Sequence, residues 1–168
     1  RGPDAGPNHE IWIYECERGV SRPLTDQKID SYWGVWTPDG GGIVFSATSD
    51  GTKTLPLYRA AADGSRPPEP FIPASGTWLL PYSWTPDGGI LAVQKGGIDN
   101  MDIWMSPVSG ERKPFPLVES PYMEIHPAIS PDGRWVAGVT ADEVSLYPIE
   151  GGAPRRVPGV PEGGFPIR

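Results

Sequence analysis

Asp39, Asp87, Asp132 and His126 are the side chains of this 168-residue sequence that first invite a chemical reading. Carboxylates hold metal ions or move protons, and an imidazole can do either near neutral pH. Spacing turns the carboxylates toward a structural role. Each sits in the same setting, Thr37-Pro38-Asp39-Gly40, Thr85-Pro86-Asp87-Gly88 and Ser130-Pro131-Asp132-Gly133, with the prolines 48 and then 45 residues apart. One carboxylate per repeat is too dispersed to share an ion or a proton. Asp followed by Gly is also what a tight turn requires, a side chain that caps backbone N–H groups and a residue free to take positive φ.

His126 takes the place that Trp33 holds in the first repeat and Pro81 in the second. It enters the strand before the turn, where a ligand contact and a packing role are both open. The sequence has no G-x-S-x-G elbow, no H-E-x-x-H and no Gly-rich phosphate loop. No serine near His126 has the turn context of an exposed nucleophile. The chain is therefore expected not to be an enzyme, and no catalytic residue is assigned. His9 falls in the tail and is given no role. Cys16 is the only cysteine, which excludes an internal disulfide and a Cys-type zinc site. Placed in an apparent strand, it is expected to be buried and inert. The acidic group Asp50, Asp99, Asn100, Asp102, Asp142 and Glu143 offers hard oxygen ligands for calcium but matches no known ligand spacing, so neither a metal nor a cofactor is expected.

The elements that position these residues repeat with the turns. An apolar strand enters each turn (34–36, 82–84, 127–129) and another leaves it (43–48, 90–93, 135–140), so each pair reads as a hairpin. A third strand carries an aliphatic-aromatic pair, Ile11-Trp12, Leu57-Tyr58, Ile103-Trp104 and Leu146-Tyr147, whose aromatic member recurs after 46, 46 and 43 residues. A Gly turn and a short Pro-rich fourth strand follow (21–25, 69–72, 114–118, 156–158). Proline cannot donate to a ladder, so this strand is expected at the sheet edge. Two landmarks in step at this period, with four antiparallel strands per unit, describe propeller blades.

Composition agrees. Gly and Pro number 22 each, yet seven Trp, six Tyr and four Phe are too many for a disordered chain, so the Gly and Pro are turn punctuation. The net charge of −7 argues against a nucleic-acid partner. No hydrophobic run is long enough to span a bilayer, and membrane insertion by this segment is not expected.

The Trp-x-Pro-Asp-Gly type of turn followed by an Ile-Trp or Leu-Tyr strand resembles the TolB-type β-propeller repeat, found in TolB, in tricorn and prolyl-oligopeptidase-like propellers and in sensor regions of bacterial Ser/Thr kinases. The resemblance runs from about Glu10 to Arg168. It implies an all-β fold, a β-propeller segment of four-stranded antiparallel blades, and favours a periplasmic or extracytoplasmic setting. The register assigns 1–9 to an N-terminal tail, 10–30 to a partial blade of third and fourth strands, 31–75, 76–120 and 121–162 to three complete blades, and 163–168 to the first strand of a further blade. Such an arc is expected to be an excised piece of a longer propeller, to pair with a second copy, or to close alone as a distorted four-bladed ring. Its exposed strand edges call for a covering partner.

Residues of the loops leading to the first strands, Asp30, Tyr32, Trp33, Trp78, Tyr82, Tyr122, Met123, Glu124 and Phe165, carry recurring aromatics; Tyr32, Trp33, Trp78, Tyr82, Tyr122, Glu124 and Phe165, with His126 at the entry of a first strand, are the candidates for a binding rim or channel mouth. They point to a non-enzymatic module for protein or peptide recognition or scaffolding. The resemblance leaves two alternatives, the substrate-gating propeller of a larger prolyl-oligopeptidase-like or tricorn-like hydrolase and the ligand-sensing propeller of a bacterial membrane Ser/Thr kinase.

Overall fold

The computed structural model describes residues 9–26, 28–48, 54–74, 76–97, 99–111, 113–140 and 143–159. Two strands open it, β1 (Trp12–Glu15) and β2 (Val20–Pro23), paired as a two-stranded sheet. Three four-stranded antiparallel sheets follow. The first is β3 (Asp30–Trp36), β4 (Gly42–Thr48), β5 (Leu57–Ala61) and β6 (Glu69–Ile72). The second is β7 (Trp78–Trp84), β8 (Ile90–Gly97), β9 (Asn100–Pro107) and β10 (Phe115–Val118). The third is β11 (Glu124–Ile129), β12 (Trp135–Thr140), β13 (Glu143–Pro148) and β14 (Arg155–Arg156). In each sheet spatial order follows chain order, which is the meander of a propeller blade. The expected strand at 163–168 lies outside the described residues.

The three turns are built alike. Thr37 Oγ1 donates to Asp39 Oδ1 (2.6 Å), Gly41 N–H donates to the same oxygen (3.0 Å), and Gly42 N–H donates to Thr37 Oγ1 (2.9 Å). Thr85, Asp87, Gly89 and Ile90 repeat the pattern, as do Ser130, Asp132, Arg134 and Trp135. Gly40, Gly88 and Gly133 hold φ of 68°, 69° and 71°, which is why glycine follows each Asp. The hydroxyl and then the backbone N–H groups keep all three carboxyls below the usual range, Asp132 at about 2.

The fourth strand is the edge strand, and the pairing shows how it tolerates proline. Pro23, Pro70 and Pro116 stand opposite the third-strand aromatics Trp12, Tyr58 and Trp104. Backbone groups alternate sides along an antiparallel strand, and these aromatics face away from the fourth strand, so a missing N–H breaks no ladder bond.

The chain divides into two compact units, Arg1–Pro81 and Tyr82–Arg168. Within the first, Ile13 of β1 packs with Ile43, Phe45 and Ala47 of β4 and Ala60 of β5. Within the second, Ala92, Ile103 and Met105 of β8 and β9 pack with Val136 of β12. Fully burying the isoleucine, phenylalanine, methionine and valine side chains among these stabilises by about 1.5–3 kcal/mol each. Among the second strands β4 is the most buried, from Gly42 through Ala47 without a break. Cys16 departs from expectation: it lies in the turn after β1 and is exposed, because β1 ends at Glu15, whose carbonyl closes the turn by accepting from Gly19 N–H.

Candidate functional site

Two first strands carry a bulge. The pairing of β3 with β4 skips between Tyr32 and Val35, and that of β11 with β12 skips between Ile125 and Ala128. Inside each skip stands a residue with left-handed backbone, Trp33 at φ 48° and His126 at φ 56°. Among the described residues these are the only non-glycine positions with positive φ. Such a conformation costs about 1–3 kcal/mol for a residue with a side chain, and a bulge re-aims the side chain it carries. Trp33 is 46% exposed, and His126 is exposed as well. Pro81 holds the equivalent place in β7, where its ring forbids positive φ, and it is buried.

In the first unit the bulge is braced by a polar cluster. Asp30 accepts from Tyr32 Oη (2.7 Å), His9 N–H (2.7 Å) and His9 Nδ1 (3.0 Å). Burial opposes the Asp30 charge, but the hydrogen bonds from Tyr32 and His9 outweigh it and lower its pKa. Burial and Asp30 together push the Tyr32 hydroxyl up to about 12. Tyr32 is therefore a fixed donor. Its ring lies 5.5 Å from that of Trp33 and 4.7 Å from that of His9. His9 is thus an anchored member of the cluster, in contrast to the tail residue without a role that the sequence suggested.

In the second unit the bulge sits over a buried polar network. His126 N–H donates to Gln94 Oε1 (3.3 Å), and Gln94 Nε2 donates to the Glu124 carbonyl (3.4 Å). The His126 ring meets Tyr82 edge-on, with centroids 5.7 Å apart. Glu124 itself is only 1% exposed. Its Oε1 accepts from Ser120 Oγ, while its Oε2 finds no donor among the described residues. Burial first, and the neighbouring Asp102 carboxyl after it, push the Glu124 carboxyl up despite the Ser120 hydrogen bond.

The expected rim residues accordingly separate. Tyr32 and Trp33 form one cluster, and Tyr82 and His126 form another. All four lie on first strands; Tyr32 and Trp33 do so because β3 begins earlier than its apolar core suggests. Glu124 is not a rim residue: its side chain points inward to Ser120. Trp78 is partly buried at the start of β7, where Leu55 bridges to it. Tyr122 is 64% exposed on the loop before β11. Phe165, Asp50 and Asp142 lie outside the described residues. Glu143 pairs with Arg156 at 3.0 Å, and no group of three or more His, Cys, Asp or Glu able to hold a metal occurs among the described residues. Gln94 and Ser120 were missed in the sequence. Their roles come from strand pairing, for which a single polar residue gives no signal.

No family model and no curated protein matches the chain. Solved structures do. A structure from Agrobacterium tumefaciens assigned as TolB superposes with a TM-score of 0.64 at 23% identity, over 82% of this chain and 52% of its own. TolB from Acinetobacter baumannii gives 0.67 at 19%, over 84% of this chain and 36% of its own. A prolyl endopeptidase structure gives 0.60 at 14%, over 83% of this chain and 24% of its own. The chain spans about half of the first and less of the others. The fold is that of a TolB-type propeller, all-β and built of blades.

Proposed function

We propose that this chain is a non-enzymatic recognition module for a protein or peptide, in which each unit presents a ring on its own bulge, Trp33 in the first and His126 in the second. The observation that carries the reading is the left-handed backbone at Trp33 and His126. Strain of this kind collects at ligand-binding positions, and here it holds an indole and an imidazole in solvent, each beside a tyrosine ring. Aromatic surface of this sort supplies most of the energy in protein interfaces. The contacts of His126 are with Tyr82 and Gln94, an arrangement suited to packing on a ligand and not to activating a nucleophile. The likeness to TolB supports protein partners.

A displayed peptide library selected on the chain tests this. Peptides recovered should bind Trp33→Ala or His126→Ala at least about tenfold more weakly. Unchanged affinity in both variants would remove the bulges from the function.

A second reading, the propeller portion of a larger hydrolase, draws on the likeness to a prolyl endopeptidase. Peptide selection separates the two, since recognition by this chain alone belongs to the first.

A further inference from the structure

Glu124 occupies a position that the other repeats fill without a charge. Counted back from the turn proline it corresponds to Leu79 and Ser31, which are buried as it is. In the first unit Ser46 Oγ donates to the Leu79 carbonyl as Gln94 Nε2 does to that of Glu124, and Ser46 lies opposite Leu57 as Gln94 lies opposite Ile103. By the same register Pro56 stands where Asp102 does. The repeat is complete with leucine and proline at these two places. The two carboxyls of the second unit are therefore no requirement of the blade.

Both carboxyls meet at Ser120. Its hydroxyl donates to Glu124 Oε1, and its N–H points at Asp102 Oδ1 from 3.5 Å, the long limit of a hydrogen bond. Ser120 Oγ accepts in turn from the Tyr122 N–H (3.1 Å). The Asp102 carboxyl is within hydrogen-bonding reach of that of Glu124, whose Oε2 has no donor among the described residues. Two carboxyls so close are stable when they share one proton. Exposure decides which holds it: Glu124 is buried, Asp102 only partly. A proton on Oε2 gives that atom Asp102 as a partner and closes a ring of Ser120, Glu124 and Asp102. Its loss to solvent sets two negative charges against each other at a buried site.

Few other charges surround Glu124 among the described residues. β8 carries Lys95, whose ammonium sits 3.3 Å from the centre of the Trp104 ring; β9 carries Asp102 alone, and β12 carries none. β7 brings Tyr82 against His126, which is exposed on its bulge. Glu119 and Tyr122 before β11, and Asp99 between β8 and β9, are exposed as well.

We propose that Glu124 and Asp102 form a proton-operated latch on residues 119–123, the segment that presents the exposed side chains of Tyr122 and Met123 just before β11. With the proton in place Ser120 is held and the segment is docked. Without it the ring opens and the segment is released. The latch does not rest on the recognition reading of the bulges.

NMR on the full chain, followed over about pH 4 to 8, tests it. The Glu124 carboxyl carbon should titrate with a midpoint above 4.5, and amide protection at Ser120 and Tyr122 should fall by about tenfold or more at that same midpoint. The sign follows from the folded state holding the extra proton: the latch is whole below the midpoint and lost above it. Glu124→Gln, whose amide donates to Asp102 at any pH, should keep both amides protected throughout. Asp102→Asn removes the like charge and should move the midpoint down. Glu124→Leu, which copies Leu79, should keep the fold and leave both amides unprotected at every pH. A midpoint at or below 4.5, or protection unchanged while Glu124 titrates, would overturn the proposal, and the parent chain alone decides these should a variant fail to fold. So would the same pH-dependent loss in Glu124→Gln, which would move the effect to Glu119, Tyr122 or His126.

Discussion

Trp33 and His126 stand at the same position of two different repeats and share a left-handed backbone, φ 48° and 56°, each inside a one-sided skip of the ladder. The second four-stranded sheet has Pro81 there and cannot adopt it. The left-handed conformation is thus an option of the repeat and not a requirement of it.

His126→Gly relieves the strained backbone at a small entropic cost and should leave stability unchanged or raise it by up to about 1 kcal/mol. His126→Val, β-branched at positive φ, should cost about 2 kcal/mol. Urea unfolding of the two variants checks this, and equal destabilisation by both would contradict the bulge geometry.

Glu124 predicts an unusual pH dependence. Burial, then Asp102, raises its folded pKa above the ordinary 4.5. Its contribution is therefore intact below that value and is lost as pH rises through the folded pKa, because the folded state binds the extra proton. Glu124→Gln should stabilise the chain near neutral pH by about 1 kcal/mol and flatten the profile above pH 4.5. Denaturant midpoints measured across that range test it, and a variant that parallels the parent at every pH would refute it.

The turn aspartates work in the opposite sense. The Ser130 hydroxyl, then the Arg134 N–H, hold Asp132 at about 2, below its ordinary 3.8. The stability this gives is present above 3.8 and lost as pH falls through about 2. Asp132→Asn should lower the melting temperature at pH 6 and make no difference near the lower limit, as read by calorimetry.

Gly138 allows a close approach between sheets. A Cβ added there would stand 2.5 Å from Ile103 Cδ1, the end of a fully buried side chain. Gly138→Ala should cost about 2 kcal/mol, and Ile103→Val in the same background should restore part of it by removing that methyl group. Simple additivity of the two changes in a double-mutant cycle would disprove the contact.

The sequence by itself determined the repeat: turns whose Thr or Ser, Asp and Gly satisfy one another within a few residues, aromatic third strands, and prolines confined to edges. These are local matters of backbone geometry and hydrogen-bond arithmetic, so they are legible without a fold. Its candidates Tyr32, Trp33, Tyr82 and His126 were legible as types, and Tyr82 and His126 also as residues at or on first strands, whereas Tyr32 and Trp33 were read in a loop. Only the tertiary structure decided that Glu124 faces inward to Ser120, that Gln94 holds the His126 bulge, that His9 is tied to Asp30 and that Cys16 is exposed. The Gln94 and His9 contacts join partners about twenty to thirty residues apart that no local pattern announces, while the placing of Glu124 and Cys16 turns on where a strand begins or ends, since a shift of one residue exchanges inside for outside.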